Sequence, residues 1–258
     1  MSFSDNIEFE IPNIVVRNEA PDELRGFLYT EIQNYQKGLK NIRQILCSAT
    51  MCAPDPSNWG ENDFMKEEIR ERLYSCKWFF VYDFIEQFAA SLDAPNKMRF
   101  ESNINKYFII NGIGWSLKEG QILYRGEESF EMILSETQET LDISKQNTSE
   151  NEIKEALADI SRRPEPDLTG AVQHSVAALE CLVRSITGKQ SMTLGALISQ
   201  FPNIVPEPLN AVISKLFGFA SIKGRHLQEG VELTLEEAEL VVHLSAALCN
   251  YLAKTNLL

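Results

Sequence analysis

Histidine is almost missing from this chain: three in 258 residues, at positions 174, 226 and 243. Chemistry that needs an imidazole to move a proton near neutral pH is confined to those three places. Basic residues are scarce too. Lys and Arg number 24 against 37 Asp and Glu, a net charge of −13. Coating nucleic acid without regard to sequence requires a basic face. This balance excludes that class and restricts any RNA contact to a small pocket on an acidic body, reached against the long-range field. The five cysteines (Cys47, Cys52, Cys76, Cys181, Cys249) are odd in number and form no Cys-x-x-Cys. Neither a zinc knuckle nor a disulfide framework is supported, and a reducing cytoplasm is the expected compartment. No apolar run reaches membrane-spanning length. The opening Met-Ser-Phe-Ser-Asp-Asn-Ile-Glu-Phe-Glu lacks the basic-then-apolar pattern of a leader. No membrane partner is therefore expected. Metal-ligand spacing such as His-x-x-x-His is absent. Gly188-Lys189-Gln190-Ser191 fails as a phosphate loop, because Gln follows Lys and no glycine stands five residues before Gly188. Neither metal nor cofactor is expected.

What is present is apolar sequence, 44% of residues, at helical spacing. Leu24, Phe27, Leu28, Ile32, Tyr35, Leu39, Ile42 and Leu46 predict one long helix over 21–47. Met65, Ile69, Leu73, Cys76, Phe80, Phe84 and Phe88 predict a second over 62–91, with Trp78, Phe79 and Tyr82 widening its apolar surface so that it is central. A third, over 97–110, ends at Asn111-Gly112. Gly114–Lys118 and Gln121–Arg125 then flank Glu119-Gly120, a two-residue hairpin turn. A further helix runs from after Gly126 to Ile143. The polar run 144–150 reads as a linker. Beyond it, helices are expected over 151–162, 167–187 (ending at Gly188), 193–200 (Thr193 as N-cap), 207–217 and 235–254. Thr234 and Glu237 fit a capping box at the start of the last. The fold class is mainly α: an N-terminal helical domain with a small β-hairpin over 1–143, and an α-helical bundle over 151–258.

One dipeptide stands out as chemistry. Arg225-His226, in Gly224-Arg-His-Leu-Gln-Glu-Gly230, is the only place where a histidine adjoins a strong phosphate-binding side chain. Such a pair can hold a phosphodiester and move a proton, the minimum for cutting RNA without a metal. A surface pair at a helix end that binds nothing is the plainer alternative. Glu180 and Arg184, four apart on one helix face, form either an ordinary surface pair or an oriented arginine facing the same cleft as Arg225. His174 and His243 read as packed, satisfied histidines.

Four segments of the first half resemble the N-terminal domain of AbiJ-type abortive-infection proteins: Leu24-Arg-Gly-Phe-Leu28, Trp78-Phe-Phe-Val-Tyr-Asp-Phe-Ile85, Phe100-Glu-Ser-Asn-Ile-Asn-Lys-Tyr107 and Asn111-Gly-Ile-Gly-Trp-Ser-Leu117. In the second half, Ala178-Leu-Glu-Cys-Leu-Val-Arg-Ser-Ile-Thr-Gly188, Lys215-Leu-Phe-Gly-Phe-Ala220 and Gly224–Gly230 resemble a HEPN domain. The resemblance implies an all-α bundle that dimerises, a bacterial phage-defence setting and, for many such domains, metal-independent endoribonuclease activity. The family motif is Arg, a polar residue, and His four to six positions after the Arg, with two copies meeting across the dimer. Here Arg225 and His226 fit its start. The closing His falls at 229–231, which hold Glu229, Gly230 and Val231.

Three functions follow as expectations. The first is a cytoplasmic defence endoribonuclease acting on RNA as a homodimer. Arg225 and His226 would be catalytic, and Arg184, Glu180 and Glu229 would position the substrate. The second is an inactive HEPN-like module for dimerisation or partner docking in a defence or toxin–antitoxin system. The third is a DNA-binding regulator using the helix and hairpin at 97–125.

Overall fold

The computed structural model describes residues 12–58, 62–225 and 232–258. The chain divides into two compact units, Met1–Arg125 and Gly126–Leu258. As the periodicity predicts, it is mainly helical, with one two-stranded sheet among the described residues.

The first unit contains α1 (Asp22–Glu31), α2 (Leu39–Ala49), α3 (Asn62–Ser75), α4 (Trp78–Ala90) and α5 (Ala94–Ile110), followed by β1 (Trp115–Lys118) and β2 (Gln121–Tyr124). Two predicted helices are each broken in two. The first breaks at Tyr35, whose backbone is extended (φ −108°, ψ 142°). Its ring packs edge-on to Phe88 and Phe100, at 5.9 and 5.6 Å, and its hydroxyl donates to Glu31 Oε1 at 2.8 Å. Burying that aromatic is worth more than continuing the helix by a turn of modest propensity. The second break is made by Arg25, which is 6% exposed. Its Nε donates to the Ala20 carbonyl at 2.8 Å, and its Nη1 donates to the carbonyls of Leu73 and, at 3.0 Å, of Cys76. The guanidinium satisfies carbonyls that α3 leaves open at its end. The chain then turns at Lys77 and restarts at Trp78.

Val81, Tyr82, Phe84, Ile85, Phe88 and Ala89 of α4 are all buried, the central position its composition predicts. The hairpin register pairs Trp115 with Tyr124 and Lys118 with Gln121. Glu119 and Gly120 both have positive φ (54° and 87°), as a type I′ turn requires. Lys97 Nζ donates to the Glu119 carbonyl at 2.9 Å, which holds the turn. Arg17 ties the preceding segment to the hairpin. It donates to the carbonyls of Gly114 (3.0 Å) and Arg125 (3.1 Å) and lies 3.9 Å over the Tyr124 ring.

The second unit contains α6 (Glu128–Ile143), α7 (Asn147–Ile160), α8 (Leu168–Thr187), α9 (Leu194–Gln200), α10 (Asn210–Ala220) and α11 (Leu235–Asn256). Its bundle is built from α6, α7, α8 and α11. A three-residue connection folds α7 back on α6. The α7 and α8 helices run antiparallel: Glu152 meets His174, and Asp167 N–H donates to the Asp159 carbonyl. By contrast α6 and α11 run parallel. Phe130 packs against His243, Thr137 donates to the Ala246 carbonyl at 3.0 Å, and Thr140 donates to Asn250 Oδ1 at 2.8 Å. The C-terminal ends of α6, α8 and α11 therefore share one end of the bundle with the start of α7.

Local caps fix the helix ends here. Asp167 accepts from Gly170 N–H at 2.7 Å, and Gly188 closes α8 in the left-handed region (φ 69°). Thr193 caps α9, and the Thr234–Glu237 capping box is formed at both bonds. The segment 144–150 is mostly the first turn of α7, with Ser149 2% exposed. The compact units meet at 125/126, ahead of the 144–150 boundary read from the sequence, because α6 packs along α11.

Candidate functional site

The turn that leads to Arg225 is a short π-helical segment, Ser221–Arg225, continuing α10. Lys223 anchors it. Its Nζ donates to the Glu232 carbonyl at 3.2 Å and lies 3.6 Å from Glu237 Oε2. Glu237 is also the capping-box residue of α11, so one carboxylate ties the turn to the helix start. Through that side chain the turn is tied to the first turn of α11, while its backbone packs against α8. His226 and Glu229 lie outside the described residues, as does the side chain of Arg225.

Glu180 and Arg184 are brought together as the spacing predicts, with Arg184 Nη2 2.6 Å from Glu180 Oε1. Their surroundings give them another task. Glu180 Oε2 accepts from Leu194 N–H at 2.7 Å, and Arg184 Nε donates to the Met192 carbonyl at 2.7 Å. The pair holds the 188–193 loop against α8. It also lies near the C-terminal end of α8, whereas Lys223 and Glu237 mark the N-terminal end of α11. The pairings above put α8 and α11 parallel, so the two places are on the order of 20 Å apart along the bundle, at 1.5 Å per helical residue. Whether Arg184 faces the same cleft as Arg225 turns on the Arg225 side chain, which lies outside the described residues.

Two further groupings escaped the sequence. A cleft of about 360 Å³ opens between the first turn of α7 and the end of α8, lined by Lys145, Ser149, Cys181, Arg184, Ser185 and Gln190 among others. Burial pushes the Cys181 thiol up, with Glu152 adding to it, so the sulfur is a neutral thiol and a poor nucleophile there. The polar run 144–150 was the available signal, but polarity alone reads as a loop. The second grouping is an ion cluster on α7 and α8. His174 Nδ1 is 2.7 Å from Glu152 and its Nε2 is 3.6 Å from Asp159. Arg162 bridges Asp159 (2.7 Å) and Asp167 (3.1 Å). Asp159 is 2% exposed. Burial holds its carboxyl above the usual range, and the Arg162 guanidinium opposes that shift. His174 is a satisfied, half-buried histidine, as expected, and His243 packs edge-on to Phe130 at 5.7 Å.

No group of three or more His, Cys, Asp or Glu suited to a metal occurs among the described residues. No described helix is long and apolar enough to cross a membrane. Compared with known proteins, residues 1–140 match a family model described as AbiJ N-terminal domain 4. No curated protein and no solved structure matches the chain.

Proposed function

From the premise that this chain belongs to the AbiJ N-terminal domain 4 family, we propose that it is a cytoplasmic abortive-infection protein. In this reading its C-terminal unit is a HEPN-like, metal-independent endoribonuclease. The observation that carries the reading is the anchoring of the 221–225 turn to the first turn of α11 through Lys223 and Glu237. This ties the turn that carries Arg225 to the start of a helix of the bundle, which supports the reading.

Arg225 binds the scissile phosphate and meets charge as it develops. His226 takes the proton of the ribose 2′-hydroxyl or returns one to the leaving oxygen. A homodimer supplies the pair twice, so one copy serves as base and the other as acid. Glu229 positions substrate beside them. Glu180 and Arg184 support the 188–193 loop. The N-terminal domain senses or restrains.

Purified full-length protein incubated with total RNA in EDTA tests the proposal. Arg225→Ala and His226→Ala are each expected to lose about 10²-fold or more of the cleavage rate, as for removal of a general acid or base. Wild-type rates in either variant would overturn the assignment.

The exposure of Leu240 (57%) and Tyr251 (40%), about three turns apart on one stripe of α11, favours a second reading. Here the bundle only dimerises or docks a partner. Full phage protection by a folded His226→Ala variant supports this reading, and its loss removes it.

A further inference from the structure

Four residues separate Cys47 from Cys52, and nothing in that spacing suggests a pair. The end of α2 makes them one. Cys52 N–H donates to the Cys47 carbonyl at 2.9 Å, and Met51 N–H donates to the Ser48 carbonyl at 3.2 Å. Met51 is in the left-handed region (φ 53°). These are the two bonds and the backbone state of a Schellman motif, with Cys47 at C3 and Cys52 at C″. In that motif the C3 and C″ side chains frequently make an apolar contact; here both are thiols. The 2.9 Å bond also limits the Cα separation. By backbone dimensions the two Cα atoms stand at most roughly 7 Å apart, the upper edge of the range a disulfide spans.

The surroundings give the two sulfurs different roles. Cys47 is 5% exposed, while Cys52 is exposed. Arg72 donates to the Ala53 carbonyl at 3.1 Å, one residue from Cys52, and to Glu68 Oε1 at 2.9 Å. The Arg72 guanidinium therefore stands beside the turn that carries Cys52. Burial pushes the Cys47 thiol up, which keeps it protonated until a partner sulfur is activated.

We infer that Cys47 and Cys52 form a peroxide-sensing dithiol in the N-terminal domain, with Cys52 as the sulfur attacked first and Cys47 as the resolving thiol. The Cys52 thiolate displaces hydroxide from a hydroperoxide, breaking the O–O bond and forming a sulfenic acid. The Cys47 thiol then displaces water from that sulfenic acid, forming the S–S bond. Two thiols are oxidised and one peroxide is reduced to water, with no other reactant. The site is independent of the ribonuclease reading.

Both cysteines fall on one tryptic peptide, residues 44–66. The full-length protein is treated with stoichiometric hydrogen peroxide, free thiols are alkylated, and the digest is read by mass spectrometry. The expected result is a 44–66 peptide lighter by the mass of two hydrogens, unalkylated at both positions and restored by a thiol reductant. In Cys52→Ser, Cys47 is expected to stay fully alkylatable after peroxide. A Cys52 sulfinic acid beside an alkylated Cys47 in the wild type would overturn the pairing, as would a Cys52–Cys76 cross-link. The wild-type experiment decides the matter even if a variant misfolds.

Discussion

The two units share local helix ends, in the first Asp93 onto Asn96 N–H and the turn at Met51, but differ in what makes their hidden breaks. In the second, the ends are written within a few residues of themselves: Asp167 onto Gly170 N–H, Thr193 onto Ala196 N–H, Thr234 and Glu237 onto each other, Gly188 in the left-handed region. In the first, the decisive breaks depend on groups far away in sequence. Arg25 closes α3 from 48 residues off, and Tyr35 leaves its helix to meet Phe88 and Phe100. The cores differ in the same sense. The first unit buries aromatics in ring contact, Phe84 with Phe88, Phe88 with Phe100 and Tyr82 with Phe108, whose tilted contacts fix particular partners. The α8 helix of the second unit buries Ala, Val, Leu and Ser along one stripe, which packs by period alone. Local caps make a helix end readable; a cap borrowed across the core does not.

That contrast predicts an order of effects. Arg25→Ala should cost the most, about 3 kcal/mol, because the carbonyls of Ala20, Leu73 and Cys76 lose their donor in a buried place. Urea unfolding monitored by far-UV circular dichroism measures it. An apolar variant of similar length, Arg25→Met, should recover less than half of the loss. Full recovery would mean that packing, not carbonyl pairing, ends α3. Thr234→Ala removes a local cap and should cost about 1 kcal/mol, read by the same titration. A loss as large as that of Arg25→Ala would erase the distinction between the units.

The smallest effect is a slope with pH, and it concerns the second unit's own long-range cluster. Burial raises the Asp159 carboxyl in the folded state. Between its ordinary pKa and the raised one, the folded chain holds more proton than the unfolded chain. This contribution is fully present below the unfolded value and fades as pH rises through the folded one. Asp159→Asn should flatten stability over that mildly acidic window. An unchanged slope would assign the shift to another group.

Much of the fold was legible in the residues. The class, the helix order of the second unit, the Thr234–Glu237 box and the Glu119–Gly120 turn follow from spacing and turn chemistry. Where the prediction ran helices through Tyr35 and Cys76, the apolar period continued unbroken across both breaks, and it outweighed the one local breaker, Gly38, which is the N-cap of α2. The run 144–150 failed the other way: its polar residues suit a linker, but α7 begins among them and buries Ser149. Of the candidate site, Glu180 and Arg184 were paired correctly by the i, i+4 rule. Their distance from the α11 start depended on α6 and α11 running parallel, which no helix period encodes.

By itself the sequence determined that this is a mainly helical chain, acidic, poor in histidine, with local caps and a hairpin turn set by residues close by in the chain. Tertiary structure decided where Arg25 and Tyr35 break the first unit's helices. It separated Arg184 from the start of α11. The reason is physical: caps and turns are settled by neighbours a few residues away, whereas a buried donor, a helix direction or a side-chain pairing is settled by which surfaces the folded core brings together.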